Sequence, residues 1–272
     1  MSTKQKCLLL SIITIMLLIV TACKKKESVV DPNTPTKPEQ PVIPDVPKSD
    51  TKSYIPLLLQ SDNEKIELKY AEDGLQLSEI KYSTGIREVI TYKDKKPREY
   101  RRYLKDELIY SVDYILNTDG MPIQANRFQI ELNGKVLIPL GSYQISYDEQ
   151  KNIKSINWFD FKNNLQSSWQ YTYNESQNLT HKTYTDKLPS NAEYAYDGKS
   201  GLLKNVTSVT LFSIENDAFF LINTKSNLSS IIFPGSPEKN ISLINAYNTA
   251  GYPSSFSRIV GDNKTVYKIT YR

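Results

Sequence analysis

Seven stretches of alternating apolar residues in this chain each end on a tyrosine: Ile66-Leu68-Tyr70, Ile90-Tyr92, Val112-Tyr114, Tyr143-Ile145-Tyr147, Trp169-Tyr171-Tyr173, Tyr194-Tyr196 and Tyr267-Ile269-Tyr271. Period-two alternation marks strands with one buried and one polar face. Five tyrosines are followed by a polar stretch, then Gly or Asn, then a hydrophobic residue. These are Tyr147-Asp148…Asn152-Ile153, Tyr173-Asn174…Asn178-Leu179, Tyr196-Asp197…Gly201-Leu202, Tyr247-Asn248…Gly251-Tyr252 and, more loosely, Tyr70…Asp73-Gly74-Leu75. The Asp or Asn opens a turn by bonding the backbone, and the closing Gly or Asn is expected to take the positive φ. Asn117 to Gly120 repeats the device, and Tyr92-Lys93-Asp94…Pro97 is its degenerate member.

The marker tyrosines stand at 70, 92, 114, 147, 173, 196 and 247, so successive intervals are 22, 22, 33, 26, 23 and 51 residues. A period of about 25 fits one hairpin with its return connection. The last interval reads as two units with one marker missing. Seven or eight units imply a dozen or more antiparallel strands. The expected fold is all-β: a large antiparallel meander forming a strongly curved sheet, a half-barrel or a closed barrel, because so many twisted strands cannot stay flat. Phe128 to Leu140, with a turn at Asn133-Gly134, reads as an extra hairpin. Residues 208–240 read as two strands, or as a short helix from about Asn216 to Thr224 packed on the sheet.

Residues 1–53 have a different character. Lys4 and Lys6 precede an apolar run from Leu8 to Val20, which is short for a membrane span and suits a secretory signal. The run ends Val20-Thr21-Ala22-Cys23, which resembles the bacterial lipobox. By that resemblance residues 1–22 are removed and Cys23 carries lipid. Cys7 leaves with the signal, so the mature chain has no thiol for a disulfide. Residues 23–53 form a spacer with Pro32, Pro35, Pro38, Pro41, Pro44 and Pro47 at the three-residue turn of polyproline II. Lys24 replaces the Asp of the enteric inner-membrane retention signal. The expected address is the outer membrane, with the leaflet open. The domain is expected at residues 54–272.

The Tyr-Asp/Asn-x-x-x-Gly/Asn-hydrophobic unit resembles the YD repeats of the RHS family. Over about residues 60–272 the chain is more similar to exported lipoproteins of unknown function from anaerobic gut bacteria. That family shares the lipobox, linker, YD-like meander and a closing unit like Tyr247-Asn248-Thr249-Ala250-Gly251-Tyr252-Pro253-Ser254. The resemblance implies a porin-like architecture and carries over no catalytic residue. A pore is not implied, because the polar strand positions are rich in Lys, Glu, Asn and Ser, unlike the apolar band of a lipid-facing barrel.

The search for chemistry is short. His181 is the single histidine, there is no nucleophile elbow, and it reads as an exposed strand residue. Glu72, Asp73, Asp148, Glu149, Glu193 and Asp197 lie in or near the turns, where acids serve folding; a glycan hydrolase would need two of them converging in a cleft. No phosphate loop, dinucleotide fingerprint or calcium loop occurs. Two Cys and one His exclude a disulfide scaffold, a zinc ribbon and a multi-histidine metal site. Residues 54–272 hold 26 basic and 25 acidic side chains, no footprint for nucleic acid. Lys93, Lys95, Lys96, Arg98, Arg101 and Arg102 read as the solvated face of a hairpin. Trp158, Trp169, Tyr171 and Tyr173 are the candidate ligand-binding residues: exposed they would stack on sugar rings, and buried they would be cross-strand core pairs.

The functional expectation is a membrane-tethered, non-catalytic binding or scaffold module. It would need no catalytic residue, metal or cofactor, with a glycan or envelope protein as partner and a monomer as the favoured state. A carrier of a lipid or acyl chain is the alternative.

Overall fold

The computed structural model describes residues 54–131, 136–185, 190–216, 218–222 and 225–272. Sixteen strands follow one another around a closed antiparallel barrel. They are β1 (Pro56–Gln60), β2 (Lys65–Tyr70), β3 (Leu77–Tyr82), β4 (Ile86–Lys93), β5 (Lys96–Leu104), β6 (Glu107–Leu116), β7 (Pro122–Glu131) and β8 (Val136–Tyr147). Then come β9 (Ile153–Phe159), β10 (Leu165–Tyr173), β11 (Leu179–Thr185), β12 (Ser190–Ser200), β13 (Ser226–Ile232), β14 (Ile241–Tyr247), β15 (Pro253–Val260) and β16 (Asn263–Tyr271). Pairing of β1 with β16, Leu59 opposite Ile269, closes the barrel. Closure removes the exposed sheet edges that an open meander would carry.

The tyrosine period is the hairpin period of the barrel. Each marker lies at or within four residues of the end of an even strand, and six of them donate the phenolic hydroxyl to the carbonyl of the residue that begins the preceding odd strand. Tyr92 reaches Leu77 O at 2.5 Å, Tyr147 reaches Pro122 O at 2.7 Å, Tyr173 reaches Ile153 O at 3.0 Å and Tyr196 reaches Leu179 O at 2.5 Å. Tyr271 reaches Pro253 O at 2.7 Å, and Tyr70 donates to Pro56 O. All six acceptor residues are buried. One rim is therefore clamped tyrosine by tyrosine, and the same ring that packs inside the barrel satisfies a carbonyl at its mouth.

The turns at this rim are built by the Asx side chain. Asp148 Oδ1 accepts the Asn152 N–H at 2.7 Å, and Asn117, Asn174 and Asn248 hold the fourth residue onward in the same way. The left-handed residue is the third after the Asx. Gly120 and Gly251 occupy it, but so do Lys151 (φ 64°) and Gln177 (φ 61°), not Asn152 and Asn178 as the sequence suggests. The paired Asx and backbone hydrogen bonds hold those side-chain-bearing residues in place.

Three expectations are corrected by the strand order. The eighth marker is Tyr271, not a tyrosine lost between 196 and 247: β12 and β14 are successive even strands, and the extra residues form an insertion. Phe128 to Leu140 is no extra hairpin but the far ends of β7 and β8; the expected turn at Asn133-Gly134 lies outside the described residues. Within 208–240, the helix lies earlier than expected, as α1 (Val209–Glu215), with a 3-10 turn at Phe219–Leu221 and the single strand β13 after it. The sequence signal there was weak because α1 is only seven residues long and contains two threonine- or valine-type β-branched residues and an isoleucine.

The insertion leaves β12 at the tyrosine rim and is tied to the β2–β3 turn by Thr207, whose N–H and carbonyl bond Leu75 and Leu77. It then enters the barrel. Phe212 packs edge-on to Tyr100 at 6.0 Å, and Phe219 meets Phe256 at 5.5 Å. Val209, Leu211, Phe212 and Ile214 join Leu59, Ile66, Ile80 and Ile156 in one core. The apolar strand positions thus face the lumen. The outside carries charged cross-strand pairs, with Lys69 and Arg87 on Glu79 at 2.6 and 3.6 Å, the opposite polarity to a membrane-spanning barrel. Among the described residues no helix is long and apolar enough to cross a membrane.

Candidate functional site

The lumen is divided. One side is filled by α1, which is held by polar groups that strand phase turns inward. Glu88 and Arg102 stand two residues from the buried Ile90 and Tyr100 on β4 and β5 and so share their phase, and both point into the barrel. Arg102 Nε donates to Glu88 Oε1 at 3.0 Å, and its Nη2 donates to the Glu215 carbonyl at the C-terminus of α1. Asn216 Nδ2 bridges Glu88 Oε2 at 2.9 Å and Tyr82 Oη at 2.8 Å. The Glu215 carboxylate accepts from Tyr110 and Tyr143, each at 2.7 Å. Burial raises the Glu215 carboxyl above its ordinary range, while the two tyrosine donors and then Arg127 and Arg102 oppose that rise. Burial likewise pushes the Tyr110 and Tyr143 hydroxyls up, so they remain protonated donors.

Arg102 therefore leaves the solvated basic face assigned to it from sequence. Alternation placed it in phase with Tyr100, and that phase, rather than local charge density, decided its direction. The same phase argument would have found Glu88. Glu215 and Asn216 carried no sequence signal, because their side-chain partners lie 72 to 134 residues away on β3, β4, β6 and β8.

Beside the helix the lumen is open. A cavity of about 650 Å³ runs between α1 and the wall made mainly by β9 to β14. This volume lies within the range of about 300–1,000 Å³ typical of small-molecule sites. Its lining reaches from Lys95, Gly120 and Lys151 at the tyrosine rim to Tyr184, Asn191 and Phe233 at the other. The wall is aromatic, with Trp169, Tyr171, Tyr173 and Tyr194; the helix side is polar, with Thr210, Ser213 and Asn216.

Three of the four aromatic candidates line this cavity: Trp169, Tyr171 and Tyr173. Trp158 does not. It lies behind, 6.0 Å from Trp169 and 4.7 Å from Tyr143, with the Arg127 guanidinium 4.5 Å above its ring. Trp169 faces Tyr184 edge-on at 5.8 Å and carries the Lys182 ammonium 3.4 Å over its ring. The group is a half-buried inner wall, both packed against the core and open to the cavity.

The six candidate carboxylates do not line the cavity. Asp73 and Asp148 bond turn N–H groups, which in Asp73 lowers the carboxyl. Asp197 accepts from Asn245 at 3.2 Å and from Tyr247; Glu72, Glu149 and Glu193 are exposed. His181 is exposed on the outside of β11, opposite Glu193. Among the described residues no cluster of three or more His, Cys, Asp or Glu is placed to hold a metal ion. Cys23 lies outside the described residues.

No family model matches the sequence, and no curated protein matches it. Solved structures do. A porin-like protein from Bacteroides uniformis aligns with a TM-score of 0.52 at 13% identity, over 80% of this chain and 95% of its own. A porin-like protein from Bacteroides vulgatus aligns with a TM-score of 0.48 at 12% identity, over 80% of this chain and 99% of its own. The first of these likenesses shows that this chain has a porin-like fold.

Proposed function

We propose that this chain is a lipid-anchored, non-catalytic binding module of the cell envelope, and that the barrel lumen is its binding site. The observation that carries the reading is the cavity of about 650 Å³ with Trp169, Tyr171 and Tyr173 in its wall. A lumen packed solid would have left only the outer surface for partners. Glu88 and Glu215, carboxylates inside the barrel, are engaged in holding α1 and are not among the residues that line the cavity.

The address rests on the lipobox ending at Cys23, on the proline-spaced segment to residue 53, and on the fold shared with a Bacteroides porin-like protein. These support an outer-membrane anchor. The charged exterior favours a barrel standing in water beside the bilayer, with its partner a glycan or envelope component. A closed barrel with no free edge favours a monomer. The second reading, a carrier of an apolar ligand, is favoured by the aliphatic end of the cavity at Ile222, Ile231 and Ile241.

Mass spectrometry of the intact protein, isolated from the envelope that made it, tests the site. The expected result is a small molecule bound at up to one per chain, lost in Ser213→Phe, which narrows the cavity from the helix side. An empty wild-type protein that envelope extracts do not stabilise would overturn the reading.

A further inference from the structure

The barrel wall has a loose seam. β13 and β14 are each seven residues long, yet only Ser230–Ser242 and Ile231–Ile241 pair between them. The looseness belongs to the seam and not to the strands. β14 pairs with β15 from Ile241–Val260 to Tyr247–Pro253, and β13 pairs with β12 from Glu193–Ile232 to Ser200–Ser226. The tyrosine clamp is absent here too: Tyr247, the marker of β14, donates to Asp197 instead of to a β13 carbonyl. The β1–β2 and β3–β4 ladders are also short, but Tyr70 and Tyr92 clamp them. Side chains bridge the rest of the β13–β14 seam. Asn245 Nδ2 donates to Leu228 O at 3.1 Å, and Asn227 Nδ2 reaches Tyr247 Oη at 3.4 Å.

Aliphatic side chains flank this seam on both surfaces. Inside, Leu228, Ile231 and Leu243 are buried, and Ile231 and Ile241 line the cavity. Outside, Ile232 and Ile244 are exposed. The start of the barrel chain lies next to β14. The Tyr54 ring stacks on Tyr252, in the β14–β15 turn, at 4.7 Å. Asn205 Nδ2 holds both, donating to the Tyr54 carbonyl at 3.3 Å and to Tyr252 Oη at 3.0 Å. The segment that carries Cys23 therefore joins the barrel beside the strand that borders the seam. We infer that the β13–β14 seam is a side door, through which the acyl chain of a single-chain lipid passes from the anchoring bilayer into the lumen. Two ladder pairs and a carboxamide bridge part more easily than a full ladder, and the flanking aliphatic groups shield the passing chain from water. This rests on the lumen being the binding site and on an apolar ligand filling it. It adds the route of entry and the surface that meets the lipid.

The two tryptophans of the chain report entry, Trp169 from the cavity wall and Trp158 from behind it. The test mixes the full chain in phosphatidylcholine nanodiscs with bromine-tagged dodecanol and follows the rate of quenching, with empty nanodiscs correcting for partition. Ser230→Cys with Ser242→Cys places a disulfide across the paired end of the seam. Ser257→Cys with Val266→Cys places one across the well-paired β15–β16 seam as the control. Wild type and control should show fast quenching. The oxidised seam variant should lose it and regain it on reduction. Asn245→Ala, which removes the bridge to Leu228 O, should speed entry by about two- to tenfold, the scale of one hydrogen bond, at unchanged final quenching. Equal rates in the oxidised and reduced seam variant would overturn the side door and leave the lumen as the site. If that disulfide does not form, Asn245→Ala decides, and entry at the wild-type rate would overturn the door. Absence of quenching in every protein, with an empty protein from the envelope, would overturn both.

Discussion

Arg102 Nε lies 3.0 Å from Glu88 Oε1, and Glu88 is 1% exposed inside the barrel. A carboxylate so placed is tolerable only with its partner, and the partner does two things. It neutralises Glu88 on the neighbouring strand, and its second nitrogen caps the C-terminal carbonyl of α1 at Glu215. A cation at a helix C-terminus also meets the negative end of the helix dipole. The pair thus joins the wall to the plug that halves the lumen.

Arg102→Met leaves Glu88 buried without a counter-charge, and such a loss costs about 3–5 kcal/mol. Urea unfolding should show it as a lower midpoint at unchanged slope. Glu88→Gln combined with Arg102→Met should recover a substantial part. Additive losses in the double variant would show that the two side chains do not act together.

Glu215 predicts a pH dependence of a particular sign. Its folded-state carboxyl is raised above the ordinary value, chiefly by burial. A raised carboxyl binds its proton more tightly in the folded chain than in the unfolded one. Its contribution is complete below the unfolded value of about 4.3 and is lost as pH rises through the folded value. Arg102, Arg127, Tyr110, Tyr143 and Glu88 surround it and are unchanged in Glu215→Gln, so the difference between the two proteins isolates this group. Wild-type stability relative to Glu215→Gln should fall from about pH 4 upward and then level. A difference that grows in favour of the wild type with rising pH would contradict the raised carboxyl.

The tyrosine clamp is testable at one hydroxyl. Tyr147 donates to the buried Pro122 carbonyl at 2.7 Å, and burial pushes its hydroxyl up so that it stays protonated. Tyr147→Phe keeps the ring and removes the donor, leaving a buried acceptor unmet at a cost of about 1–3 kcal/mol. For a domain of this size that lowers Tm by about 2–4 °C per kcal/mol. Tyr271→Phe, at the closing strand, should behave alike, since its hydroxyl meets Pro253 O at the same 2.7 Å. An unchanged melting curve in both would mean the rim carbonyls have other donors.

What the sequence made legible was whatever repeats locally. Most hairpins carry their own alternation, Asx turn and tyrosine, so the all-β meander and its hairpin count could be read within windows of about 25 residues. The inward wall of Trp169, Tyr171 and Tyr173 was legible for the same reason. The plug was not. Its helix is too short for a periodic signal, and its polar anchors pair Glu215 with Tyr110 and Tyr143, 105 and 72 residues away. Local charge misled at Arg102, where strand phase was the better guide. The cavity is a consequence of the plug: without α1 on one side of the lumen there is no polar face opposite the aromatic one.

Gly141 shows how closely the barrel wall is packed where β8 kinks. The register shifts there, with Arg127 opposite Gly141 and Phe128 opposite Pro139. Its φ is +119°, a region closed to side-chain-bearing residues, and a Cβ would lie 2.0 Å from the Phe159 carbonyl oxygen. The obstruction is backbone of the neighbouring β9 end, so no rotamer change relieves it. Gly141→Ala must move one strand against the other or flatten the bulge, and a flattened bulge would put the far half of β8 out of phase with β7. Strain and overpacking together cost about 2–5 kcal/mol. Thermal unfolding followed by circular dichroism should show a correspondingly lower midpoint. Tryptophan emission should shift as well, because Tyr143, two residues on, packs against Trp158 with its ring tilted 50° and its centroid 4.7 Å away. A Gly141→Ala protein with wild-type midpoint and emission would mean that the bulge does not fix the register of this wall.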